Sequence, residues 1–399
     1  MIATIGTYLP RWGSAASRES GVDEDVVTMA VAAGRMAMAA AGRMAMAVVG
    51  AGPVKRVVLV TREFPLLEGG NSAALLAGLG LPRDVEVREV LGGAPAALEA
   101  VADAEDGTLV IGADETPGAG AAAVLCGLEG VSLRLVGRVN RSLPVVTRNA
   151  RGETREYGDP RLLRESGLGA SVAALGLTGP VSAVVGATGR DAALMSDGGP
   201  QVPTGGASAT LLALAELVEG GAGGRILAVD QATITGADLG SGTVSVGRDE
   251  VTPVSVPAGQ LTPGPEISIS LPAYERAFEA KLRLEAARCE QCGTLSYPAR
   301  FRCLTCGSEQ PPGTVALPRD AVVYTKAVVH VPVPGLTTPY TLVVAELGDT
   351  GVRVLVRVTG SASGQIEIGA TGNVVFRKVA DRTGVPDYGY GFLPTEVAA

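Results

Sequence analysis

Cys289-Glu290-Gln291-Cys292-Gly293 and Cys303-Leu304-Thr305-Cys306-Gly307 are the two stretches on which the reading of this chain turns. Together they form a C-x2-C-x10-C-x2-C array. Outside it the 399 residues hold one further cysteine, Cys126, and one histidine, His330. In a C-x2-C-G turn both thiolates point inward, and the glycine takes the left-handed backbone of the turn without a steric penalty. Two such knuckles at the ends of a short hairpin give a tetrahedral four-sulfur site, which suits Zn or, less often, Fe. With all four positions filled by protein, the ion is expected to fold the segment rather than to catalyse. Two disulfides are the alternative. The odd cysteine count and an N-terminus, MIATIGTYLPRW, without a basic-then-apolar leader favour metal and a cytoplasmic setting.

Working outward, Leu271 to Arg288 (LPAYERAFEAKLRLEAAR) reads as a helix with Tyr274, Phe278 and Leu282 on one face. Before it, Pro253 to Pro265 is rich in proline and glycine and reads as a linker. After the knuckles come short β-branched runs: Val322 to Val331, Tyr340 to Leu347, Val352 to Val358, Gln365 to Ile368 and Asn373 to Val379. Five such strands fit a small closed barrel of OB type. Ten of the fourteen aromatic residues follow residue 257, so the core there differs from the Ala/Gly-rich core before it. The expected division is 1–256, an α/β domain; 257–288, linker and helix; 289–312, a zinc ribbon; and 313–399, the barrel.

The first part alternates strands with helices. Strands are predicted at Ile2 to Thr7, Arg56 to Val60 and Val85 to Val90, and helices at Ser72 to Leu79 and Ala94 to Ala104. Asp23-Glu24-Asp25 open a helix through Ala47, the acids suiting its N-terminal dipole. Inside that helix AGRMAMA occurs twice, at Ala33 and Ala41, a step close to two turns that reads as helix extension. A longer repeat carries more. Gly107 to Gly137 reads strand (Thr108 to Ile111), small-residue segment, strand (Val131 to Val136). Gly223 to Gly247 reads strand (Arg225 to Val229), Gly-Ala turn, strand (Gly242 to Val246). An Ala/Leu helix precedes each, Ala94 to Ala104 and Ala207 to Glu219, which suggests a duplicated α/β unit.

Net charge is −8, yet from Ala258 onward basic and acidic residues balance at thirteen each, so the excess acid lies in the first two-thirds. No Lys/Arg cluster tracks a phosphate backbone, and nucleic acid is not an expected partner. The most apolar helical run, Val26 to Gly50, is alanine-rich and carries Arg35 and Arg43, so no membrane span is expected.

With its leading helix, its two CxxCG knuckles around Pro298 and Arg300, and a barrel carrying Thr338-Pro339-Tyr340, the stretch from about 266 to 397 resembles the rubredoxin-type zinc-ribbon plus OB-fold family of acyl-CoA-associated proteins. The resemblance implies a structural Zn, an acyl-CoA or acyl-thioester ligand, and a thiolase-superfamily partner. Residues 1 to about 250 are similar to the ketoacyl synthase III and hydroxymethylglutaryl-CoA synthase branch of the thiolase superfamily. The stretches that carry this are IATIGTYLPRW, VDEDVVTMAVAA and VPTGGASATLLALAELVEGGAGGRILAVD. It implies the thiolase-like duplicated fold.

Departures from that branch set the functional expectation. The branch uses a Cys at a helix N-terminus, where the dipole and a nearby His lower the thiol pKa. Here the matching stretch is Arg88-Glu89-Val90-Leu91-Gly92-Gly93-Ala94, with Val90 at the nucleophile position. The branch's His has no counterpart, since His330 lies in the barrel, and its Asn corresponds to Pro203 in Val202-Pro203-Thr204-Gly205. Cys126, in AVLCG, reads as a small buried hydrophobe. The α/β domain is also shorter than full members of that branch. No catalytic residue is therefore expected. The chain reads as a non-catalytic subunit that docks on a separate, active thiolase or ketosynthase, with a homodimer formed through the strand Val85 to Val90. A self-sufficient acyltransferase with unconventional groups is the alternative, and an OB-type nucleic-acid binder the third reading.

Overall fold

Two sheets that share a four-strand order organise the α/β part of the chain. The computed structural model describes residues 1–45, 54–148, 153–187, 189–196, 198–263, 268–310, 312–331 and 336–395. Its elements are β1 (Ile2–Leu9), α1 (Val26–Ala45), β2 (Arg56–Thr61), α2 (Asn71–Leu79), β3 (Glu86–Leu91), α3 (Ala94–Ala102), β4 (Thr108–Asp114), β5 (Gly120–Cys126), β6 (Leu133–Val139), α4 (Leu168–Leu175), β7 (Val181–Val185), α5 (Ala207–Glu219), β8 (Gly224–Asp230), β9 (Thr233–Leu239) and β10 (Ser245–Glu250). One sheet runs β10-β1-β5-β4-β2-β3 and the other β7-β8-β9-β6. In the first, β1 and β4 both lie antiparallel to β5, and β2 lies parallel to β4. In the second, β6 and β8 both lie antiparallel to β9, and β7 lies parallel to β8. The duplicated α/β reading therefore holds. The second copy has no counterpart of β3 or β10 among the described residues, which leaves β7 and β6 at that sheet's edges.

Small residues make this packing possible. A Cβ on Gly6 would lie 2.2 Å from the α1 backbone at Ala33 and Ala37, so β1 and α1 meet at backbone distance. α3 and α5 fill the core beside the sheets, with Leu98, Leu211 and Leu214 wholly buried. Each such leucine contributes roughly 1.5–3 kcal/mol. The hairpin strands β5 and β9 replace what the sequence reads as turn and small-residue segments. β5 (GAAAVLC) is buried along its whole length, and its alanines carry little β-propensity to announce it. α1 begins at Val26, with Asp25 as its cap: Asp25 Oδ1 accepts from Thr28 N at 2.9 Å while Thr28 Oγ1 accepts from Asp25 N at 2.8 Å. The end of the expected helix, and with it the close of the second AGRMAMA copy, lies outside the described residues.

The chain divides into two compact units that are discontinuous in sequence. Met1–Ser20, Met29–Leu67 and Asp84–Val254 form the first. Gly21–Thr28, Glu68–Arg83 and Ser255–Ala399 form the second.

The second unit contains α6 (Leu271–Arg283), the ribbon strands β11 (Glu285–Arg288), β12 (Leu295–Ser296) and β13 (Gly313–Ala316), and a barrel. The barrel strands are β14 (Asp320–Val329), β15 (Tyr340–Leu347), β16 (Arg353–Val358), β17 (Thr371–Arg382) and β18 (Val385–Pro394), closed in the order β14-β15-β16-β18-β17. Val323, Val343, Val374, Phe376 and Phe392 fill it. Two expectations are corrected. The helix from Leu271 stops at Arg283, because Leu284 turns left-handed at φ 55° and Glu285–Arg288 is needed as the central ribbon strand. Gln365–Ile368 is not a strand. The fifth strand is instead β18, whose sequence VPDYGYGFLP hides its β character behind proline and glycine. There Gly391 leaves room for Thr359 and Arg377, the nearest side-chain atoms to a Cβ added at Gly391 lying at 3.2 and 3.4 Å. α6 is seated by Tyr390, whose hydroxyl donates to Leu282 O at 2.6 Å, and by Lys281 on Asp387 at 2.7 Å.

Candidate metal centre and the α/β cleft

The two knuckles are the same structure built twice. Cys289 N donates to Thr294 O at 2.9 Å and Gly293 N to Cys289 O at 2.8 Å. Cys303 N donates to Ser308 O at 2.9 Å and Gly307 N to Cys303 O at 3.0 Å. Gly293 and Gly307 stand at φ 74° and 75°, the left-handed conformation that a side chain would strain. The four Sγ atoms lie within 4.8 Å of one another, with Cys289–Cys306 at 3.7 Å and Cys292–Cys303 at 3.6 Å. A tetrahedron with Zn–S bonds of about 2.3 Å has edges of about 3.8 Å, so the thiols are spaced for that ion.

The electrostatics fit a cation as well. The hydroxyl and backbone N–H of Thr294 hold the Cys292 thiol down at about 6. The backbone N–H groups of Cys306 and Thr305 lower Cys303. Cys306 receives the Ser308 N–H, yet desolvation and its three neighbouring thiols push it up to about 12. Four thiols this close cannot all ionise unless a positive charge sits among them, and Zn supplies that charge when bound. Beside the ribbon is a cleft of about 360 Å³ lined in part by Tyr297, Arg300, Phe301, Leu304 and Arg353. Phe301 and Leu304 are 84% and 78% exposed.

In the first unit the position of interest is the start of α3. β3 ends at Leu91 and the helix is capped by Gly93, so Val90 lies inside the strand, paired with Val60, and the helix start falls on Gly93 and Ala94. None of these residues carries a nucleophile. A Cβ on Gly93 would lie 2.1 Å from Arg62 Nη2, and that guanidinium pairs with Asp230 at 2.8 Å. An ion pair thus stands at the helix terminus, beside a cleft of about 330 Å³ lined by residues that include Gly92, Gly93, Arg138 and Asp230.

Pro203 sits in the loop before α5, where its carbonyl oxygen would be 2.0 Å from a Cβ on Gly118. That loop is organised by a residue the sequence reading passed over. Asp114, at the end of β4, accepts from Ala207 N at 3.0 Å, Ser208 N at 2.7 Å and Ser208 Oγ at 2.5 Å, capping α5 from a distant strand. Burial pushes its carboxyl up to about 6 against those bonds. An acid closing the apolar run TLVIGAD was the available signal. Cys126 is buried, and desolvation raises its thiol to about 11, which matches the inert reading. His330 is exposed just past β14. No helix among the described residues is long and apolar enough to cross a membrane.

Two family descriptions match the second unit. Residues 277–311 match the rubredoxin-like zinc ribbon domain of ChsH2, and 314–377 its C-terminal OB-fold domain. A DUF35 domain-containing scaffold protein of Methanocaldococcus jannaschii is 30% identical over 125 residues, covering 30% of this chain and 88% of that protein. Among solved structures, a chain of the Ltp2-ChsH2(DUF35) aldolase is 28% identical, covering 31% of this chain and 94% of that chain at a TM-score of 0.27. The 3-oxoacyl-(acyl carrier protein) synthase III of Pseudomonas aeruginosa is 16% identical, covering 61% of this chain and 98% of that chain at a TM-score of 0.46.

Proposed function

The chain belongs, through its last third, to the DUF35 domain-containing scaffold proteins, and on that premise we propose that it is a non-catalytic subunit of a thiolase-type acyltransferase complex. Carbon–carbon bond formation or cleavage on acyl thioesters is the work of a separate, active thiolase or ketosynthase. The observation that carries this reading is the start of α3. The fold brings a helix N-terminus to a cleft, as thiol activation requires, and the sequence places Gly93 there under the Arg62–Asp230 pair.

Cys289, Cys292, Cys303 and Cys306 hold one structural Zn in this reading, and the ion fixes the ribbon without entering any reaction. The ligand is an acyl-CoA or acyl thioester. The cleft at Phe301, Leu304 and Arg353 supports that class, since it offers apolar surface to an acyl chain and cationic groups to phosphate. β3 is an edge strand in which Glu86 and Arg88 are more exposed than Val87 and Val90. We propose that two copies pair along it, within a larger cytoplasmic assembly. Purification of the tagged chain from its native host, with mass spectrometry of what accompanies it, tests the proposal. Stoichiometric recovery of an intact thiolase or ketosynthase is expected, and recovery of the chain alone at native concentration would count against it.

A further inference from the structure

Asp23, Glu24 and Asp25 read in the sequence as a helix start, and their burial is nearly complete, at 7%, 5% and 2% exposed. Three consecutive carboxylates leave water only where donors replace it, since an unpaired buried charge costs several kcal/mol. Within the second unit each faces a cation or a hydroxyl of the barrel. Tyr388 Oη donates to Asp25 Oδ2 at 2.8 Å. Arg377 Nη2 lies 3.4 Å from Glu24 Oε1, and Arg357 Nη2 3.9 Å from Asp23 Oδ2. The main chain joins in, with Lys378 N donating to Asp23 O at 2.9 Å.

The barrel side is held in place independently of the acids. Arg377 donates through Nε to Thr359 Oγ1 at 3.3 Å and through Nη1 to Phe376 O at 3.0 Å, so its third nitrogen is aimed. The Tyr388 ring stacks on Phe376 at 5.4 Å and 19°. β17 pairs with β14 only through Thr371, Gly372 and Asn373, and further along, the Lys378 N–H is taken by the Asp23 carbonyl. Strand-edge N–H, two guanidiniums and a phenol converge on one short acidic segment. Main-chain hydrogen bonding gives such a site affinity, and the cations select for acid.

We propose that Arg357, Arg377, Tyr388 and the Lys378 N–H form an acidic-peptide recognition site on the barrel, filled in this chain by its own Gly21–Thr28 segment. The site is distinct from the ribbon cleft and does not depend on the scaffold reading. Its ligand is a peptide with consecutive carboxylates ahead of a helix, and in cis it anchors a segment that lies over two hundred residues away in sequence.

The test uses the full chain carrying Asp23→Asn, Glu24→Gln and Asp25→Asn, and a fluorescent peptide with the sequence of residues 21–28. Anisotropy should show the peptide binding this variant at least about tenfold more tightly than the wild-type chain, whose site is filled. Adding Arg377→Gln should abolish the gain, and a peptide with the three acids amidated should not bind. Equal binding to wild type and variant, no binding to a variant that keeps its zinc and its circular dichroism, or indifference to Arg377→Gln would each overturn the proposal. Should the triple variant fail to fold, hydrogen exchange on Arg377→Gln alone decides. Amides of 21–28 and Lys378 should exchange at least about tenfold faster with β15 unchanged, and unchanged or uniformly altered exchange would refute the site.

Discussion

The zinc knuckles and the start of α3 are both places where backbone geometry could prepare chemistry, and they differ in the side chains they carry. At the knuckles geometry and chemistry stand together: two turns with matching hydrogen bonds, glycines at φ 74° and 75°, and four thiols at metal spacing. At α3 a helix terminus is presented in the same way, but the residues at it carry no nucleophilic side chain. A strand delivers a helix terminus to a cleft, and the residues there are Leu91, Gly92, Gly93 and Ala94, with Arg62 over the glycine. The lesson is that a fold needs its packing residues at such a place, while a reaction needs its reacting groups, and different residues supply the two.

The largest effect expected on this comparison is at the knuckles. Cys303→Ser should release the metal, because three thiolates and a hydroxyl hold Zn far more weakly than four thiolates. Apparent binding energies of about 10–16 kcal/mol for structural Zn make that ion the main support of so small a ribbon. Metal analysis should fall from one equivalent of Zn to near zero, and limited proteolysis should open the chain between residues 289 and 312. Retention of Zn by this variant, or under half an equivalent of Zn plus Fe in the wild type, would break the comparison on its stronger side.

Next in size is the edge of the first sheet. Val87→Pro removes a backbone donor from β3, the edge strand of the first sheet. Light scattering should show a dimer for the wild type and monomer or aggregate for the variant. A wild-type monomer, stable and soluble at micromolar concentration, would remove β3 as the pairing edge.

A smaller effect concerns Asp114, which organises the loop that holds Pro203. Its carboxyl lies at about 6 in the folded chain, above the usual unfolded value near 3.9. Between those values the folded state binds more protons than the unfolded one, so this group's contribution to stability falls as pH rises from about 4 to about 6. The whole change is about 2–3 kcal/mol. Above pH 6 the burial penalty is felt in full. Asp114→Asn should remove this component, making the difference in stability between pH 4.5 and pH 7.5 more favourable to the higher pH than in wild type. Denaturant melts at the two pH values measure it, and an unchanged difference would show that the carboxyl is not perturbed in this direction.

What could be read beforehand follows the same division. The knuckles were legible because cysteine and glycine at fixed spacing have few structural meanings, and α5 was legible to its last residue, Ala207–Glu219, because its apolar period is uninterrupted. β5 was not, since a strand of alanines buried on both faces shows neither alternation nor β-branched residues. β18 was masked by the glycines that its neighbours require, and the helix leading to the knuckles was carried too far because nothing in LRLEAAR announces the turn at Leu284. The roles of Asp23, Glu24 and Asp114 were out of reach for a different reason. Their partners, Arg357, Arg377 and Ser208, are distant in sequence, and local patterning holds no record of them.

The central proposal, that this chain is a non-catalytic subunit, is most directly tested by offering the purified full chain a series of acyl-CoAs in the absence of any partner. Intact-mass spectrometry and release of free CoA are followed together over hours. The expected result is an unmodified mass and CoA release at the rate of buffer alone, because no activated nucleophile stands at the start of α3. A stable acyl adduct mapping to residues 80–130, or condensation or cleavage product formed by the chain by itself, would contradict the account.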